Sequence, residues 1–334
     1  MNSEEGHRTS LGKFSYALRP AKNIERKMLC EAFACLASIA PLRKYRYIGF
    51  GSIEFVDFAL IHQRLGIKDM VSVECKEEAK RRVEFNRPYS WIVVKWGTSG
   101  VVLTELDWRK KTIVWLDYDR PLDLEILEDI RLVVSSLVSG SMIVVTVDAK
   151  PQEVEGDPRI GQKRLQALVQ NVGRSRLPTI QSATGQARDV KGSDLAGWGL
   201  AKTYRQIIHN EVAKTLADRN GPLNGRWKLS YKQLFNFHYA DGAKMLTVGG
   251  SVLHSQHESK MPASTFESLE FVRTGSEPYL IESPVLTLRE LRYLDNHLTS
   301  TGFKGDFHRW LPKAESQKYR KVYRYYPAFA EIEA

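Results

Sequence analysis

The 334-residue chain has only three cysteines, Cys30, Cys35 and Cys75. They are too few and too irregularly spaced for a disulfide framework or a zinc site, and Cys30 and Cys35 sit in an Ala-rich stretch as small core residues. Its eight histidines give no metal-ligand spacing beyond His254 and His257, which lie in a polar stretch expected to face solvent. There is no P-loop, no nucleophile elbow and no internal repeat. Long apolar runs are missing as well. The best, "CEAFACLASIAPL" at 30–42, is short, carries Glu31 and ends at a proline, which argues against a membrane span. The start, "MNSEEGHRTS", is polar and acidic where a signal peptide would be apolar. The expectation is a cytoplasmic chain with no membrane partner.

What the chain has in excess is positive charge, 49 Lys and Arg against 39 Asp and Glu, for a net charge of +10. Residues 1–150 carry 23 basic against 20 acidic side chains, whereas 151–334 carry 26 against 19, so the excess lies mostly in the second half. Such a balance suits a polyanionic partner, RNA or DNA among them, and equally a soluble basic enzyme. A hydrophobic fraction of 43% is enough for a large core.

Residues 23–40 place apolar side chains at helical spacing, with Asn23 as a candidate N-cap and Pro41 as the stop. From residue 44, short apolar runs at 44–51, 68–74, 90–97, 112–117 and 141–148 alternate with amphipathic segments. Continuous apolar strands separated by helices predict a parallel sheet covered on both faces. After Asp148 the period breaks, and 171–199, rich in Gly, Ser, Thr and Arg, reads as a long loop or lid. A helix follows from about 200 to 219, then two strand-like runs within 231–253 around Asp241-Gly242, a hairpin signal. The fold class is therefore α/β, a doubly wound and mostly parallel sheet with a terminal antiparallel hairpin. Three segments result: a helical 1–40, a Rossmann-like 41–255 with an insertion at about 151–230, and a basic, aromatic extension over 256–334.

Four stretches carry chemistry. In "YIGFGSIEF" (47–55), Gly49, Gly51 and Ser52 fall where the first strand turns into a helix, and missing side chains there let a ligand approach the backbone. Glu74 closes the second strand, where a carboxylate can accept both hydroxyls of a ribose. That spacing alone does not separate one nucleoside cofactor from another. After the third strand, Thr98 and Ser99 can bond a ligand ring or cap the next helix. After the fourth, Asp117, Tyr118 and Asp119 lie at the carboxyl edge of the sheet, where open α/β folds bind ligands. The competing reading is that Asp119 and Asp123 cap the following helix.

In this order the elements and motifs resemble the class I S-adenosylmethionine-dependent methyltransferase superfamily over roughly residues 40–255. The resemblance implies S-adenosylmethionine as cofactor, the glycine loop around its methionine part, Glu74 on its ribose, Thr98 and Ser99 near its adenine, and Asp117, Tyr118 and Asp119 facing the acceptor. It also brings departures: Tyr47 stands where an acid usually precedes the first glycine, and Ile53 where a third glycine often occurs. Neither D-P-P-Y nor N-P-P-Y is present, nor a catalytic cysteine of the cytosine-C5 type. Asp117, Asp119 and Asp148 could instead hold a magnesium ion. The alternatives are a catalytically silent member of the fold that binds nucleic acid or protein, and a nucleotide-binding oxidoreductase, which fits the terminal hairpin less well.

Outside the core, "QKYRKVYRYYP" (317–327) interleaves Lys318, Arg320, Lys321 and Arg324 with tyrosines. Cations that track phosphates between rings that stack suit single-stranded nucleic acid, and an edge strand would show the same alternation. Arg174, Arg176, Arg188 and Lys191 could contact a phosphate-bearing substrate from the loop after the fifth strand, or belong to a solvated linker.

Overall fold

The computed structural model describes residues 19–154, 156–181, 185–266, 268–299, 302–303 and 311–327. The first 18 residues of the leading segment and the last seven of the chain lie outside them. Helix α1 (Pro20–Ala34) opens the described chain, with Pro20 in the first turn and Arg19, rather than Asn23, at the N-cap. Proline suits that position because its missing N–H would have had no partner there. The cap comes from afar: the Asp241 carboxylate accepts from Ala21 N at 3.2 Å and from Lys22 N at 2.8 Å.

Five strands then alternate with four helices: β1 (Arg46–Gly49), α2 (Val56–Leu65), β2 (Asp69–Glu74), α3 (Lys80–Asn86), β3 (Ile92–Trp96), α4 (Ser99–Thr104), β4 (Thr112–Pro121), α5 (Leu124–Ser136) and β5 (Ser141–Asp148). Local signals set the boundaries. Gly66, at φ +68°, ends α2 with its N–H on His62 O, and Asp123 caps α5 by accepting from Ile126 N at 2.9 Å. β4 runs past "TIVWLD" to Pro121, with an irregular register between Asp117 and Pro121.

The chain continues through α6 (Ile160–Val172), the small hairpin β6 (Thr179–Gln181) and β7 (Ala187–Asp189), α7 (Gly199–Asn220), and a long hairpin of β8 (Leu229–Asp241) and β9 (Ala243–His254). After it come α8 (Ser255–Lys260), β10 (Tyr279–Ile281), α9 (Leu288–His297) and α10 (Lys313–Val322). The main sheet has the order β10-β8-β9-β5-β4-β1-β2-β3. β3, β2, β1, β4 and β5 are parallel, β9 is antiparallel to both β5 and β8, and β10 adds parallel to β8. This is a doubly wound, mostly parallel methyltransferase-like sheet with a terminal antiparallel hairpin. The winding reverses between β1 and β4, which opens a crevice at their carboxyl ends.

Three expectations change in detail. The 171–199 stretch is not an unbroken loop, because it holds the end of α6, the β6–β7 hairpin and a short 3-10 turn before α7. The tyrosine-rich tail is the helix α10 and a following turn, not an edge strand. His254 and His257 are half-buried and stack at 4.2 Å rather than facing solvent, with His257 Nδ1 2.8 Å from Ser139 Oγ.

Burial alternates along the strands as a two-faced sheet requires. One face packs Tyr47, Trp115 and Phe237 against α1, α2 and the segment around Phe271 and Tyr325. The other packs Val114, Leu116, Ile143 and Val145 against α5 and α7. Among the described residues, no helix is long and apolar enough to cross a membrane.

Candidate cofactor and acceptor cleft

A cleft of about 480 Å³ opens over the carboxyl ends of β1, β2, β3 and β4. Its floor is the strand ends, and α1 and the tip of the β8–β9 hairpin wall it with Arg19, Lys22, Arg26, Tyr239, Asp241 and Met245. Gly51, Ser52, Glu74, Thr98, Ser99, Asp117, Tyr118 and Asp119 all line it, so the structure gathers nearly every site residue read from the core motifs. Gly49 is the exception: it ends β1 just below, without lining the cleft.

The glycine loop is tightly built. A Cβ on Gly51 would lie 2.5 Å from the Phe55 ring and 2.7 Å from Ser72 Oγ, so only glycine fits there. Ser52 and Phe55 take left-handed φ of 52° and 48°, conformations that non-glycine residues adopt rarely. Glu74 ties this loop to β2: its Oε1 accepts from Ser52 N at 2.9 Å and from Ser72 Oγ at 2.8 Å. The carboxylate is thereby fixed in direction, and Oε2 can accept from a ligand. Burial pushes its pKa above the ordinary glutamate value, against the pull of those hydrogen bonds.

At the third strand end, Thr98 is the N-cap of α4 but makes no side-chain cap bond. Ser99 donates to Asp129 of α5, which Tyr118 also reaches through its hydroxyl at 2.6 Å. The pleat therefore splits the D-Y-D triplet. Tyr118 turns to the α5 face, 7% exposed and edge-on to Phe50. Asp117 faces α1, and Asp119 is exposed at the rim. Asp123, not Asp119, caps α5.

Asp117 does not stand alone. Lys22 of α1, 4% exposed, places its ammonium 2.6 Å from Asp117 Oδ1 and 2.8 Å from Glu25 Oε2, donates to the Tyr239 hydroxyl at 3.2 Å, and lies 4.6 Å over the Trp115 ring. Glu25 accepts in turn from Thr247, which bonds Thr146 at 2.7 Å, which accepts from Trp115 Nε1 at 3.0 Å. A continuous polar network thus crosses the sheet face beneath the acceptor side of the cleft. Among the described residues no group of three or more His, Cys, Asp or Glu is placed to hold a metal ion, so Asp117, Asp119 and Asp148 do not form the magnesium site that the sequence left open.

Sequence reasoning missed Lys22, Arg26, Asp57, Asp129, Tyr239 and Asp241. Two signals were available. Lys22 and Arg26 are four residues apart and so share a face of α1, and Asp129 interrupts an otherwise apolar face of α5.

The residues read as nucleic-acid contacts lie away from the cleft lining, and several are matched by acids. Arg176 pairs with Glu211 at 3.7 Å, Arg188 with Asp194 at 2.7 Å, Lys318 with Glu315 at 2.8 Å and Arg324 with Glu31 at 2.8 Å. Arg174, Lys191, Arg320 and Lys321 are exposed. Tyr319 and Tyr325 are 4% and 8% exposed, with their hydroxyls on Asp295 and Glu31, so these rings pack inward.

Sheet order, antiparallel terminal hairpin and a glycine loop facing a strand-end acid give the fold of the class I S-adenosylmethionine-dependent methyltransferase superfamily, whose cofactor is S-adenosylmethionine. Residues 14–334 match the model of the family described as "Putative O-methyltransferase", and the chain belongs to that family. No curated protein matches it. Among solved structures it is similar to an O-methyltransferase family protein from Burkholderia thailandensis (9% identity over 68% of this chain and 57% of that one, TM-score 0.32). It is similar also to Trm1 from Pyrococcus horikoshii with S-adenosyl-L-methionine (11%, 80% and 65%, TM-score 0.44) and to an S-adenosylmethionine-dependent methyltransferase from Mesorhizobium loti (11%, 65% and 95%, TM-score 0.35). The chain spans less than two thirds of the first two of these.

The cleft fits the cofactor on its own observations. Gly51 lines the cleft with bare backbone, and the anchored Glu74 carboxylate offers an acceptor where a ribose would lie.

Proposed function

We propose that the chain methylates an oxygen of a small acceptor, held at the end of β4 beside Asp117. The observation that carries this reading is the position of Asp117: it lines the same cleft as Gly51 and Glu74, with one oxygen held by Lys22 and its side chain still 24% exposed. When bound, S-adenosylmethionine supplies an electrophilic methyl group on a sulfonium. The chain's own part is to seat the nucleoside with Ser52, Glu74 and Thr98, to align the acceptor oxygen, and to take its proton on the outward oxygen of Asp117. A cleft of about 480 Å³, walled by α1 and the hairpin tip, favours a small acceptor over a folded nucleic acid.

The test is formation of S-adenosylhomocysteine with a panel of phenols, catechols and hydroxy acids, with RNA and DNA beside them. Asp117→Asn should lower kcat by roughly 10²–10⁴-fold, the range of general-base catalysis, while S-adenosylhomocysteine affinity stays within about threefold. Unchanged turnover in that variant would remove Asp117 from the chemistry. Cofactor binding without turnover on any acceptor would favour a catalytically silent binding subunit.

A further inference from the structure

Two groups of opposite charge in the cleft have no part in the reading above. Arg26, 6% exposed, comes from the same face of α1 as Lys22, and Asp57 comes from the first turn of α2. Both line the cleft, and α2, which carries Asp57, is the helix that the glycine loop leads into. Asp57 accepts from the hydroxyl of Tyr47, a fully buried residue. The position of that phenol is fixed: it lies edge-on to Phe58 at 4.9 Å, and its oxygen is 2.7 Å from where a Gly49 side chain would begin. Burial pushes the Asp57 carboxyl up, as does the charge of Asp117, while Tyr47 and then Arg26 pull it down, so Tyr47, Arg26 and Asp117 all lie within electrostatic reach of it.

Several other charges that line the cleft have partners within the protein. Lys22 serves Asp117 and Glu25, Asp241 caps α1, and Arg120 is paired with Asp123 and Glu125. On the reading above, with the ribose at Glu74 and the methyl group toward Asp117, the amino-acid end of the cofactor would fall to the corner of Arg26 and Asp57. That end is a zwitterion, and its two charges need one anion and one cation at a site sheltered from water.

We propose that Arg26 and Asp57 form a clamp for the methionine end of the cofactor, Arg26 on the α-carboxylate and Asp57 on the α-ammonium, with Tyr47 as the positioning residue for Asp57. The clamp makes α1 part of the cofactor site although it precedes the first strand of the sheet. It also gives Tyr47 a use at the point where the glycine motif departs from its usual form, because the acid is supplied from α2 and oriented by the phenol. The inference rests on S-adenosylmethionine as the cofactor.

Calorimetry on the full chain tests it with three ligands: S-adenosylhomocysteine, 5′-methylthioadenosine, which lacks the amino acid, and decarboxylated S-adenosylmethionine, which keeps the amine and lacks the carboxylate. Asp57→Asn should weaken S-adenosylhomocysteine and the decarboxylated ligand by about tenfold or more and leave methylthioadenosine within about twofold, as loss of a charge-assisted contact requires. Arg26→Gln should weaken S-adenosylhomocysteine alone. Tyr47→Phe should show the Asp57 pattern at smaller amplitude. Equal weakening of all three ligands would make these residues structural supports and overturn the clamp, as would no weakening of any. Failure of the unaltered protein to bind any of the three would instead overturn the cofactor assignment, and the clamp with it.

Discussion

The two halves of the cleft are held by different means. On the cofactor half, the loop after β1 is joined to the neighbouring strand β2: Gly51 N donates to Ser72 Oγ at 2.9 Å and Ser52 N to Glu74 Oε1, which Ser72 Oγ also reaches from within β2. On the acceptor half, Asp117 is held by a lysine 95 residues earlier, and that lysine's helix is capped by an aspartate 219 residues further on. The first half is made by the sheet. The second is made by bringing a helix and a hairpin from opposite ends of the fold to one strand end.

The difference predicts how each half breaks. Lys22→Met should have the largest effect, because it leaves Glu25 and Asp117 without their shared cation, and removing one partner of a buried ion pair costs about 3–5 kcal/mol. A drop in the urea midpoint measures it. Replacing the network rather than breaking it, with Lys22→Met and Glu25→Leu together, should recover part of that loss, and no recovery would mean that Lys22 contributes by packing alone. Methylthioadenosine affinity should change little in whatever fraction of Lys22→Met remains folded, since the nucleoside half is bonded separately.

On the cofactor half the expected effect is smaller. Glu74→Ala removes a charged acceptor from the ribose and should weaken S-adenosylhomocysteine by about 1.5–3 kcal/mol, read by calorimetry, while loss of its bonds to Ser52 and Ser72 lowers the urea midpoint less than Lys22→Met does. The pH dependence sharpens this. Burial holds the Glu74 carboxyl above its ordinary value of 4.5, so the folded protein keeps that proton to higher pH than the unfolded chain does. Its contribution to the stability of the unliganded protein is therefore present on the acid side and lost as pH rises through the raised value. Ligand affinity runs the other way, since only the carboxylate accepts both hydroxyls well, and should fall on acidification with a midpoint above 4.5. Glu74→Gln should flatten both slopes. Parallel slopes in the two measurements would count against the ribose assignment.

The same contrast explains what was legible in the sequence. The strand-helix alternation, the hairpin at Asp241-Gly242 and the positions of Gly51, Glu74 and Asp117 toward the carboxyl edge of the sheet follow from periodicity and turn chemistry, which are local properties, although β4 runs on to Pro121. The partners of Asp117 were not legible, because Lys22 reads as an ordinary charged residue of an amphipathic helix until the fold sets α1 against β4. Asn23 is the better cap by residue type, yet the helix starts four residues earlier because Asp241 supplies two acceptors from the hairpin. The tail misleads for the opposite reason. Its alternation of cations and tyrosines is local, but acids on α1 and α9 take the Tyr325 and Tyr319 hydroxyls and turn those rings inward.

Cys75 offers the mildest way to test whether the halves are separable. It follows Glu74, lines the cleft and is exposed, whereas Cys30 is buried with its thiol pushed up to about 12 and Cys35 is half-buried and also raised. Thiolates react with alkylating agents and thiols do not, so iodoacetamide at pH 8 should label Cys75 first, as mass spectrometry of tryptic peptides would show. S-Adenosylhomocysteine at ten times its Kd leaves about one site in eleven open and should slow that labelling by roughly tenfold. The slowing should persist in Asp117→Asn and fade in Glu74→Ala at the same ligand concentration, because only the second change touches the half of the cleft that holds the nucleoside. Protection that fades equally in both would show that α1, through Lys22 and Arg26, ties the two halves into one unit.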